Sequence, residues 1–303
     1  MHGLLNVHKP KGMTSRRVVD IVARRAQTRR TGHAGTLDPL ASGVLVVCIG
    51  WTTRLVPLIQ ERSKTYSARF LLGRRSDTDD STGQVVEASN ARVPTREEVA
   101  QAISRFTGAI MQVPPQFSAV HVGGRRAHKL ARRGRAVTLE PRPVEVHRIE
   151  LVNYCFPEVE LEIECGSGTY IRSIARDLGE ALGCGGLMSA LVRRAVGDFT
   201  LESAHSIEDL QTRPIEELLL PPLAAVAHLP RRLCTAGDRE ELLCGRSLVC
   251  PPEISHPDGT LFALVDDANQ LLALAEHDSI EHRLRPHQVF IQQGSSQKSR
   301  HHR

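Results

Sequence analysis

One carboxylate in the sequence stands where a loop could present it to a substrate. Asp38 lies in the string Gly-His-Ala-Gly-Thr-Leu-Asp-Pro-Leu-Ala-Ser-Gly, residues 32–43, directly before the apolar run Val44–Ile49. Glycine lets a backbone approach other groups closely, and a proline biases the residue before it away from helical geometry. The string therefore predicts a loop that leads into a buried strand and holds Asp38 in a cleft. An ordinary turn has the same composition, so both interpretations stay open on spacing alone.

The string closely resembles the catalytic loop of the TruB family, the tRNA pseudouridine-55 synthases. Four further segments resemble motifs of that family and follow in its order. They are Asn-Val-His-Lys-Pro-Lys-Gly-Met-Thr-Ser (6–15), Lys-Thr-Tyr (64–66), Asp-Thr-Asp-Asp-Ser-Thr-Gly (77–83) and Gly-Thr-Tyr-Ile-Arg-Ser-Ile (168–174). Five motifs in one order make coincidence a poor explanation.

The resemblance implies a reaction and three residues that perform it. Asp38 is the nucleophile, Tyr66 stacks on the target base and Arg172 pairs with the aspartate. The implied activity is the isomerisation of uridine 55 in the tRNA T loop to pseudouridine: the glycosidic bond breaks, the uracil rotates and C5 joins C1′. No cofactor and no metal are implied. Sequence leaves open which atom Asp38 attacks.

Elementary chemistry supports these roles. A guanidinium beside a carboxylate lowers the carboxylate's pKa and orients it, so we expect Arg172 to keep Asp38 ionised. A base that leaves its stack regains a partner on an aromatic face, worth about 1–3 kcal/mol. Tyr66 on a strand can supply that face once the uridine has been extruded from its loop.

Three other residues match substrate-contact positions of the family with weaker individual signals, and a fourth, Lys9, is a further candidate. His33 lies in the glycine loop, Tyr170 begins an amphipathic helix, and Leu191 lies in an apolar run. Packing is the more common role for a tyrosine or a leucine in such places. Lys9 either contacts the substrate through a phosphate or braces the Asp38 loop.

Residues 166–170 depart from the family pattern. They are Gly-Ser-Gly-Thr-Tyr, and the lysine that often precedes the second glycine is missing, which puts one phosphate or backbone contact in doubt. The segment also lacks the Gly-Lys-Ser/Thr ending of a P-loop and the third glycine of a dinucleotide fingerprint. A nucleotide cofactor is therefore not expected.

Basic residues are concentrated in two runs. The formal net charge is +5 and the sequence pI is about 9.0, which suits a polyanionic partner. One run covers residues 16–30; the other contains the residues expected to contact the RNA backbone: Arg125, Arg126, Lys129, Arg132 and Arg133. Solvated faces are the alternative interpretation of both runs.

Composition excludes several protein classes. The chain has 303 residues, of which 41% are hydrophobic and 24% are charged, as in ordinary globular proteins. Its longest apolar stretch, Gly43–Ile49, is far short of the roughly 20 residues that span a bilayer, and no secretory signal is visible. The 7 cysteines form no C-x-x-C pair. We expect a cytoplasmic protein with reduced, mostly buried thiols and no metal site.

Hydrophobic periodicity predicts the elements around the motifs. Helices are expected over 15–27, with Ser15 as N-cap, after the capping box of Thr95 and Glu98, and after Gly168. Strands are expected at 44–49, 64–73 and 159–165, and at two apolar runs of a C-terminal segment, 261–265 and 271–275. The stretch Pro214–Pro230 is expected to separate that segment from the main body, and 114–143 to form an extended basic arm or hairpin.

These elements predict an α+β fold. Its core is a mixed, mainly antiparallel sheet flanked by helices, the pseudouridine synthase fold that the resemblance also implies. We expect a catalytic domain over 1–228, a small β-rich PUA-like RNA-binding domain over 229–293 and a disordered tail over 294–303. The expected partner is tRNA, bound by a monomer without an obligatory protein partner. Two alternatives remain: a non-catalytic RNA-binding or tRNA-chaperone module, and a guide-RNA-dependent synthase of the dyskerin type.

Overall fold

The computed structural model describes residues 1–88, 92–118, 138–251 and 256–291, and the backbone alone at 121–122 and 125–126. Its strands are β1 (Gly3–Lys9), β2 (Thr31–His33), β3 (Ser42–Ile49), β4 (Lys64–Leu72), β5 (Arg74–Ser76), β6 (Val85–Glu87), β7 (Gly108–Gln112), β8 (His121–Val122), β9 (Arg125–Arg126), β10 (Arg142–Cys155), β11 (Glu158–Cys165), β12 (Gly186–Val196), β13 (Phe199–Thr200), β14 (Arg231–Leu233), β15 (Leu248–Val249), β16 (Leu261–Val265), β17 (Leu271–Asp278) and β18 (Arg283–Val289). Its α-helices are α1 (Ser15–Arg25), α2 (Val56–Glu61), α3 (Arg96–Ser104), α4 (Ile171–Ala181), α5 (Ile207–Thr212) and α6 (Ala236–Leu243). Short 3-10 helices cover Gly50–Leu55, Ile215–Leu218 and Pro222–Val226.

A mixed central sheet carries the site. Within the described residues it has nine strands, in the order β1-β3-β12-β4-β11-β10-β7, with β2 on β3 and β13 on β12. The pair β12 and β3 is parallel, and the other recorded pairs of this sheet are antiparallel. The predicted α+β class is therefore confirmed. Strand β12 lies between the strand that follows the Asp38 loop and the strand that carries Tyr66.

Strand β3 is buried on both faces, as its unbroken apolar sequence predicts. Alternate residues of a strand point to opposite faces. One set packs with α1: Leu45, Val47 and Ile49. The other set packs in a cluster shared with the C-terminal sheet: Val44, Val46 and Cys48. This strand is therefore held from both sides, and so is the end of the loop before it.

The other end of the sheet is covered by helices α3 and α4. Strands β4 and β11 alternate buried and more exposed residues, and their buried faces pack against these helices in one core cluster. The capping box of Thr95 and Glu98 begins α3 as predicted. Helix α4 begins at Ile171 and turns its apolar face, including Ile174 and Leu178, towards the sheet.

One predicted cap is wrong. The N-cap of α1 is Thr14, whose side chain accepts a hydrogen bond from the Arg17 amide. Ser15 is the first helical residue and is buried. Both residue types cap helices well, so the sequence did not separate them; the Ser15 hydroxyl is instead engaged by the loop that carries Asp38.

The C-terminal segment forms the predicted β structure and packs against the main body. Its strands follow the order β14-β16-β17-β18-β15. The ring of Phe290 stacks on Trp51 with centroids 4.5 Å apart, and the guanidinium of Arg54 lies 4.9 Å from the centre of the Phe290 ring. The two sheets therefore share a core, although the domain boundaries drawn from the sequence stay a prediction.

The stretch Pro214–Pro230 is not an open linker. Leu4 and Leu220 exchange backbone hydrogen bonds of 3.0 and 2.8 Å, which adds this stretch to the edge of β1. Ile215 and Leu218 are buried, and so are Leu223, Ala225 and Val226. The stretch contains two short 3-10 helices, and the apolar residues between its prolines enter the core.

Among the described residues, no helix is long and apolar enough to cross a bilayer. Five of the seven cysteines are buried, and the exposed ones are Cys155 and Cys244. Within the same part of the chain, no group of three or more histidine, cysteine, aspartate and glutamate side chains is arranged to hold a metal ion.

Candidate active site

The loop between β2 and β3 carries Asp38 in a turn. The Ala41 amide donates to the Asp38 carbonyl at 3.1 Å, so the main chain turns as an Asp-Pro sequence commonly does. Gly35 and Gly43 have φ values of 111° and 109°, a conformation that favours glycine. The two interpretations of this string are therefore both correct: the backbone makes a turn, and the turn presents the side chain.

Two buried residues from the N-terminal motif fix this turn. The Lys9 ammonium donates to the carbonyls of Ala41, Met13 and Pro10 at 2.5, 2.7 and 3.0 Å. The Ser15 hydroxyl accepts from the Leu37 amide at 2.9 Å and donates to the Leu37 carbonyl at 3.0 Å. Of the two roles considered for Lys9, the geometry supports the brace, since its side chain is fully buried.

The carboxylate of Asp38 meets the guanidinium of Arg172 from α4. Nε of Arg172 lies 3.0 Å from Oδ2 of Asp38. The terminal nitrogens of Arg172 donate to the carbonyls of Thr78 and Phe117, both at 3.1 Å. The arginine side chain is only 7% exposed, whereas that of Asp38 is 38% exposed. A fixed cation therefore orients a carboxylate that still faces an open space.

The expected pKa of Asp38 needs a correction. Burial raises the pKa of Asp38 above its ordinary value, and the nearby Asp80 carboxylate raises it further. Arg172 and, more weakly, Lys9 pull it back down. The cation acts in the predicted direction, but the loss of water around the carboxylate outweighs it. Arg172 therefore limits the rise in the pKa of Asp38, but it does not bring that pKa below its ordinary value.

The loop at residues 77–83 and helix α4 are tied together behind this pair. Asp79 has a φ of 58°, and its carboxylate contacts the Arg176 guanidinium at 3.0 Å. Arg176 also donates to the Val113 carbonyl at 2.9 Å. Arg172 and Arg176, one turn apart on α4, therefore join this loop to the segment that leads into the basic arm.

A cavity of about 310 Å³ opens beside Asp38. Its walls include five predicted site residues: Asp38, Tyr66, Tyr170, Arg172 and Leu191. Five others on its wall were not singled out from the sequence: Gln60, Lys64, Ile171, Met188 and Arg193. The volume lies at the lower end of small-molecule sites, which run from roughly 300 to 1,000 Å³. It suits one nucleotide better than a stretch of duplex.

Tyr66 and Tyr170 reach the cavity from different supports. Tyr66 lies on β4 and is 8% exposed, and burial raises the pKa of its hydroxyl. Tyr170 stands before the first turn of α4, where the Gln112 side chain accepts from its amide at 2.8 Å and donates to its carbonyl at 3.1 Å. The buried amide of Gln112 thus fixes the chain at the point where the helix begins.

Arg193 is one of the cavity residues that were not predicted from the sequence. It is 2% exposed, and its guanidinium donates to the carbonyls of Val44, Gly35 and Thr36. It also lies opposite Tyr66 in the register of the sheet, and its charge opposes the rise in the pKa of the Tyr66 hydroxyl that burial causes. An arginine in an apolar strand pattern was the available signal, because charged side chains are rarely buried without a specific role.

His33 and Lys9 do not line the cavity. His33 ends β2, and its buried Nδ1 has no hydrogen-bond partner among the described residues. Burial and the Arg193 charge lower the pKa of His33. Its predicted contact with substrate stays a prediction.

The basic arm lies largely outside the described residues. The backbones of Arg125 and Arg126 belong to β9, which pairs antiparallel with β8, and the basic arm stays a prediction. Their side chains, and Lys129, Arg132 and Arg133 entirely, fall outside the described part of the chain. The predicted disordered tail, 294–303, falls outside it as well.

Comparison with known proteins assigns the class. The fold is that of the pseudouridine synthases: a solved Cbf5-Nop10-Gar1 complex matches with a TM-score of 0.74 and 26% identity, over 95% of this chain and 85% of that chain. An archaeal box H/ACA Nop10-Cbf5 complex matches with a TM-score of 0.72 and 25% identity, over 95% and 86%.

Sequence relatives narrow the class to one family. A model of the TruB family pseudouridylate synthase N-terminal domain matches residues 23–171, and one of the tRNA pseudouridylate synthase B C-terminal domain matches 172–226. The protein named tRNA pseudouridine synthase B in Mycobacterium tuberculosis is 45% identical to this chain, over 81% of this chain and 84% of the relative. The tRNA pseudouridine synthase B of Synechococcus sp. strain CC9311 is 41% identical to this chain, over 96% of this chain and 98% of the relative. The chain belongs to the TruB family of pseudouridylate synthases.

Proposed function

We propose that this protein is a cytoplasmic tRNA pseudouridine synthase that isomerises uridine 55 of the T loop, with Asp38 as its nucleophile. The relatives in Mycobacterium tuberculosis and Synechococcus are named as tRNA pseudouridine synthases. The observation that carries the proposal is the Asp38 carboxylate, which faces the cavity and is held 3.0 Å from Arg172.

In the proposed reaction, Asp38 acts on the glycosidic bond, and the apolar residues of the cavity wall hold the uracil. Asp38 promotes cleavage of the bond between ribose C1′ and uracil N1. The detached uracil rotates within the cavity and C5 bonds to C1′. The C5 proton leaves to solvent and N1 takes up a proton, so that the product is an isomer of the substrate. A closed space is needed because a free base would otherwise diffuse away, and the walls formed by Tyr66 and Leu191 supply apolar surface for it.

Access to the uridine requires that it leave its loop. Enzymes that act on a base extrude it and replace its stacking partners with protein side chains. Tyr66 offers a ring on the cavity wall, and Tyr170 lines the same space. We propose that Tyr66 stacks on the extruded uracil and that Tyr170, Leu191 and His33 contact the target nucleotide.

An Asp38→Asn variant tests the proposal. We expect it to bind an unmodified tRNA transcript as the wild type does and to lose pseudouridine formation, measured as tritium release from C5-labelled uridine. The control is Asp20→Asn, which makes the same change at a surface carboxylate paired with Arg16. Substantial turnover by Asp38→Asn would refute the nucleophile, and turnover confined to a site other than uridine 55 would refute the target.

The same purified protein and tRNA transcript also distinguish the proposed function from two others. The similarity to Cbf5 complexes raises a guide-RNA-dependent synthase, which would form no product when purified protein meets the transcript alone. A binding or chaperone module would bind the transcript and form no product even with Asp38 intact. Product formed by the isolated protein excludes both.

The basic arm is proposed to hold the RNA backbone. Neutralising Arg125 and Arg126 together should weaken tRNA binding and flatten its dependence on salt, because fewer counterions are released on binding. The measurement is the slope of log Kd against log salt concentration. An unchanged slope would remove these two residues from the RNA contact.

A further inference from the structure

Arg193 occupies the junction between the two strands that position the proposed catalytic residues. In the register of the sheet it pairs with Tyr66 on β4 and, on its other side, with Gly43 on β3. A Cβ atom at Gly43 would lie 2.2 Å from the Arg193 carbonyl oxygen, so β12 and the end of the Asp38 loop approach more closely than any other residue allows.

The guanidinium of Arg193 fastens the Asp38 loop at both ends. Nε donates to the Val44 carbonyl at 2.7 Å, just after the loop. The terminal nitrogens donate to the Gly35 carbonyl at 3.0 Å and, at a longer 3.5 Å, to the Thr36 carbonyl, just before Asp38. One rigid planar group thus sets the span across which the turn at Asp38 is formed.

The same residue also faces the proposed stacking residue. Arg193 is paired with Tyr66 across β12 and β4, and its charge opposes the rise in the Tyr66 pKa that burial causes. The loop and the tyrosine therefore share one anchor on the strand that separates them. A shift of Arg193 would move Asp38 and Tyr66 relative to each other.

Stability alone does not explain a buried cation at this place. No carboxylate of the described residues forms an ion pair with Arg193, which is 2% exposed. Removing a charge from water is costly, and a well-packed apolar residue is often at least as stabilising. What a guanidinium offers instead is a set of donors in fixed directions.

We propose that Arg193 is a positioning residue for the isomerisation, which fixes the Asp38 loop and the Tyr66 ring at their working separation. It acts through these two residues. The activity measurement below rests on the proposed function, whereas the measurement of loop mobility does not.

The decisive variant is Arg193→Lys, which keeps the charge and loses the fork of donors. The matched control is Arg194→Lys, at the next residue of the same strand, where the exposed side chain donates to the Ser67 hydroxyl at 3.0 Å. We expect the single-turnover rate at saturating tRNA transcript to fall on the order of 100-fold in Arg193→Lys, since a displacement of about 1 Å can cost that much. We expect Kd to stay within about threefold of the wild type, because a positioning defect lowers the rate and leaves binding intact.

Hydrogen exchange supplies the readout that a merely structural role would not produce. In Arg193→Lys, amides within residues 35–41 should exchange faster, whereas those of the central strand residues 44–49 should keep their protection. Arg194→Lys should leave both segments unchanged. An Arg193→Gln variant, which keeps two donors without the charge, provides a second test if the lysine variant does not fold.

Three results would overturn the proposal. One is a single-turnover rate in Arg193→Lys equal to that of Arg194→Lys. Another is a loss of rate, binding and melting temperature together, with exchange accelerated throughout β3. The third is failure of both Arg193 variants to fold, which would assign the residue to stability. If instead the wild type itself makes no pseudouridine but the loop alone gains mobility in Arg193→Lys, the proposed function fails and the positioning contact stands.

Discussion

Nε of Arg172 and Oδ2 of Asp38 lie 3.0 Å apart, although one belongs to helix α4 and the other to the loop before β3. The same guanidinium donates to the carbonyls of Thr78 and Phe117. The carboxylate is therefore oriented by a group that three separate segments hold in place. The pair has a direct consequence for the pH dependence of the reaction.

Replacing Arg172 with methionine should move the acid limb of the rate–pH profile to higher pH. Burial already raises the pKa of Asp38, and Arg172 is the largest influence that lowers it. Without the cation the pKa rises further, so less of the carboxylate is ionised at any given acidic pH. We also expect a loss of about 100-fold or more at neutral pH from the lost orientation. The measurement is the single-turnover rate of pseudouridine formation against pH.

Arg69→Met is the control for this experiment. Arg69 pairs with Glu160 on the exposed side of β4, with a distance of 2.7 Å and a side chain that is 47% exposed. Its removal should leave the acid limb in place. An acid limb that stays at the wild-type position in Arg172→Met would show that Arg172 does not set the pKa of the reactive carboxylate.

Lys9→Met should destabilise the protein and slow the reaction, whereas Lys11→Met should do neither. Lys9 is fully buried and donates to three carbonyls, and Lys11 is exposed two residues later. Loss of these donors leaves buried acceptors unpaired, which we expect to lower the free energy of unfolding by about 3 kcal/mol. Urea unfolding of both variants measures this, and equal midpoints would contradict the brace.

The Lys9 amine also predicts a pH dependence of stability. Burial lowers the pKa of Lys9 to about 8 from 10.5. Between these values the unfolded chain binds more protons at this residue than the folded chain, so folding gains stability as the pH rises. Relative to Lys9→Met, the wild type should therefore become more stable from pH 8 towards 10.5. A constant difference between the two proteins would contradict the lowered pKa.

Thr14→Ala and Ser15→Ala should separate helix capping from loop positioning. Thr14 caps α1, so its loss should cost about 1 kcal/mol of stability without a loss of rate. Ser15 holds the amide and carbonyl of Leu37, so its loss should cost about 1–3 kcal/mol and also slow the reaction. Melting temperatures and single-turnover rates of the two variants test this, and equal rates would remove Ser15 from the support of the loop.

The chain's one tryptophan should report how the C-terminal sheet is attached. Trp51 stacks on Phe290, which is 7% exposed. Phe290→Ala should lower the free energy of unfolding by about 3–5 kcal/mol and shift tryptophan emission to longer wavelength as water reaches the ring. Val249→Ala, at a residue of the same sheet that is 66% exposed, is the control. An unchanged emission spectrum in Phe290→Ala would contradict the stacking.

Strands and helices with regularly spaced apolar residues were predictable, because this spacing shows which face of the element is buried. Strand β11 alternates as its sequence does, and β3 is buried from Gly43 to Ile49, as its apolar run requires. Thr14 and Ser15 both suit the N-cap of α1, and the residue predicted from the sequence, Ser15, was the wrong one. The burial of the proline-rich stretch could not be predicted from its sequence, because the packing of residues between prolines depends on surfaces that come from elsewhere in the chain.

The sequence by itself determined the family, the order of the motifs and the candidates Asp38, Tyr66 and Arg172, because these depend on residue identity and spacing. Only the tertiary structure decided that burial raises the pKa of Asp38 against the pull of its arginine, and that Lys9 lies behind the loop and not on the cavity wall. It alone revealed Arg193 on β12, which is paired with Tyr66 of β4 and donates hydrogen bonds to Val44 of β3 and to Gly35 of the Asp38 loop. Desolvation and contacts between distant segments depend on what surrounds a residue in space, and neighbours in the chain do not specify those surroundings.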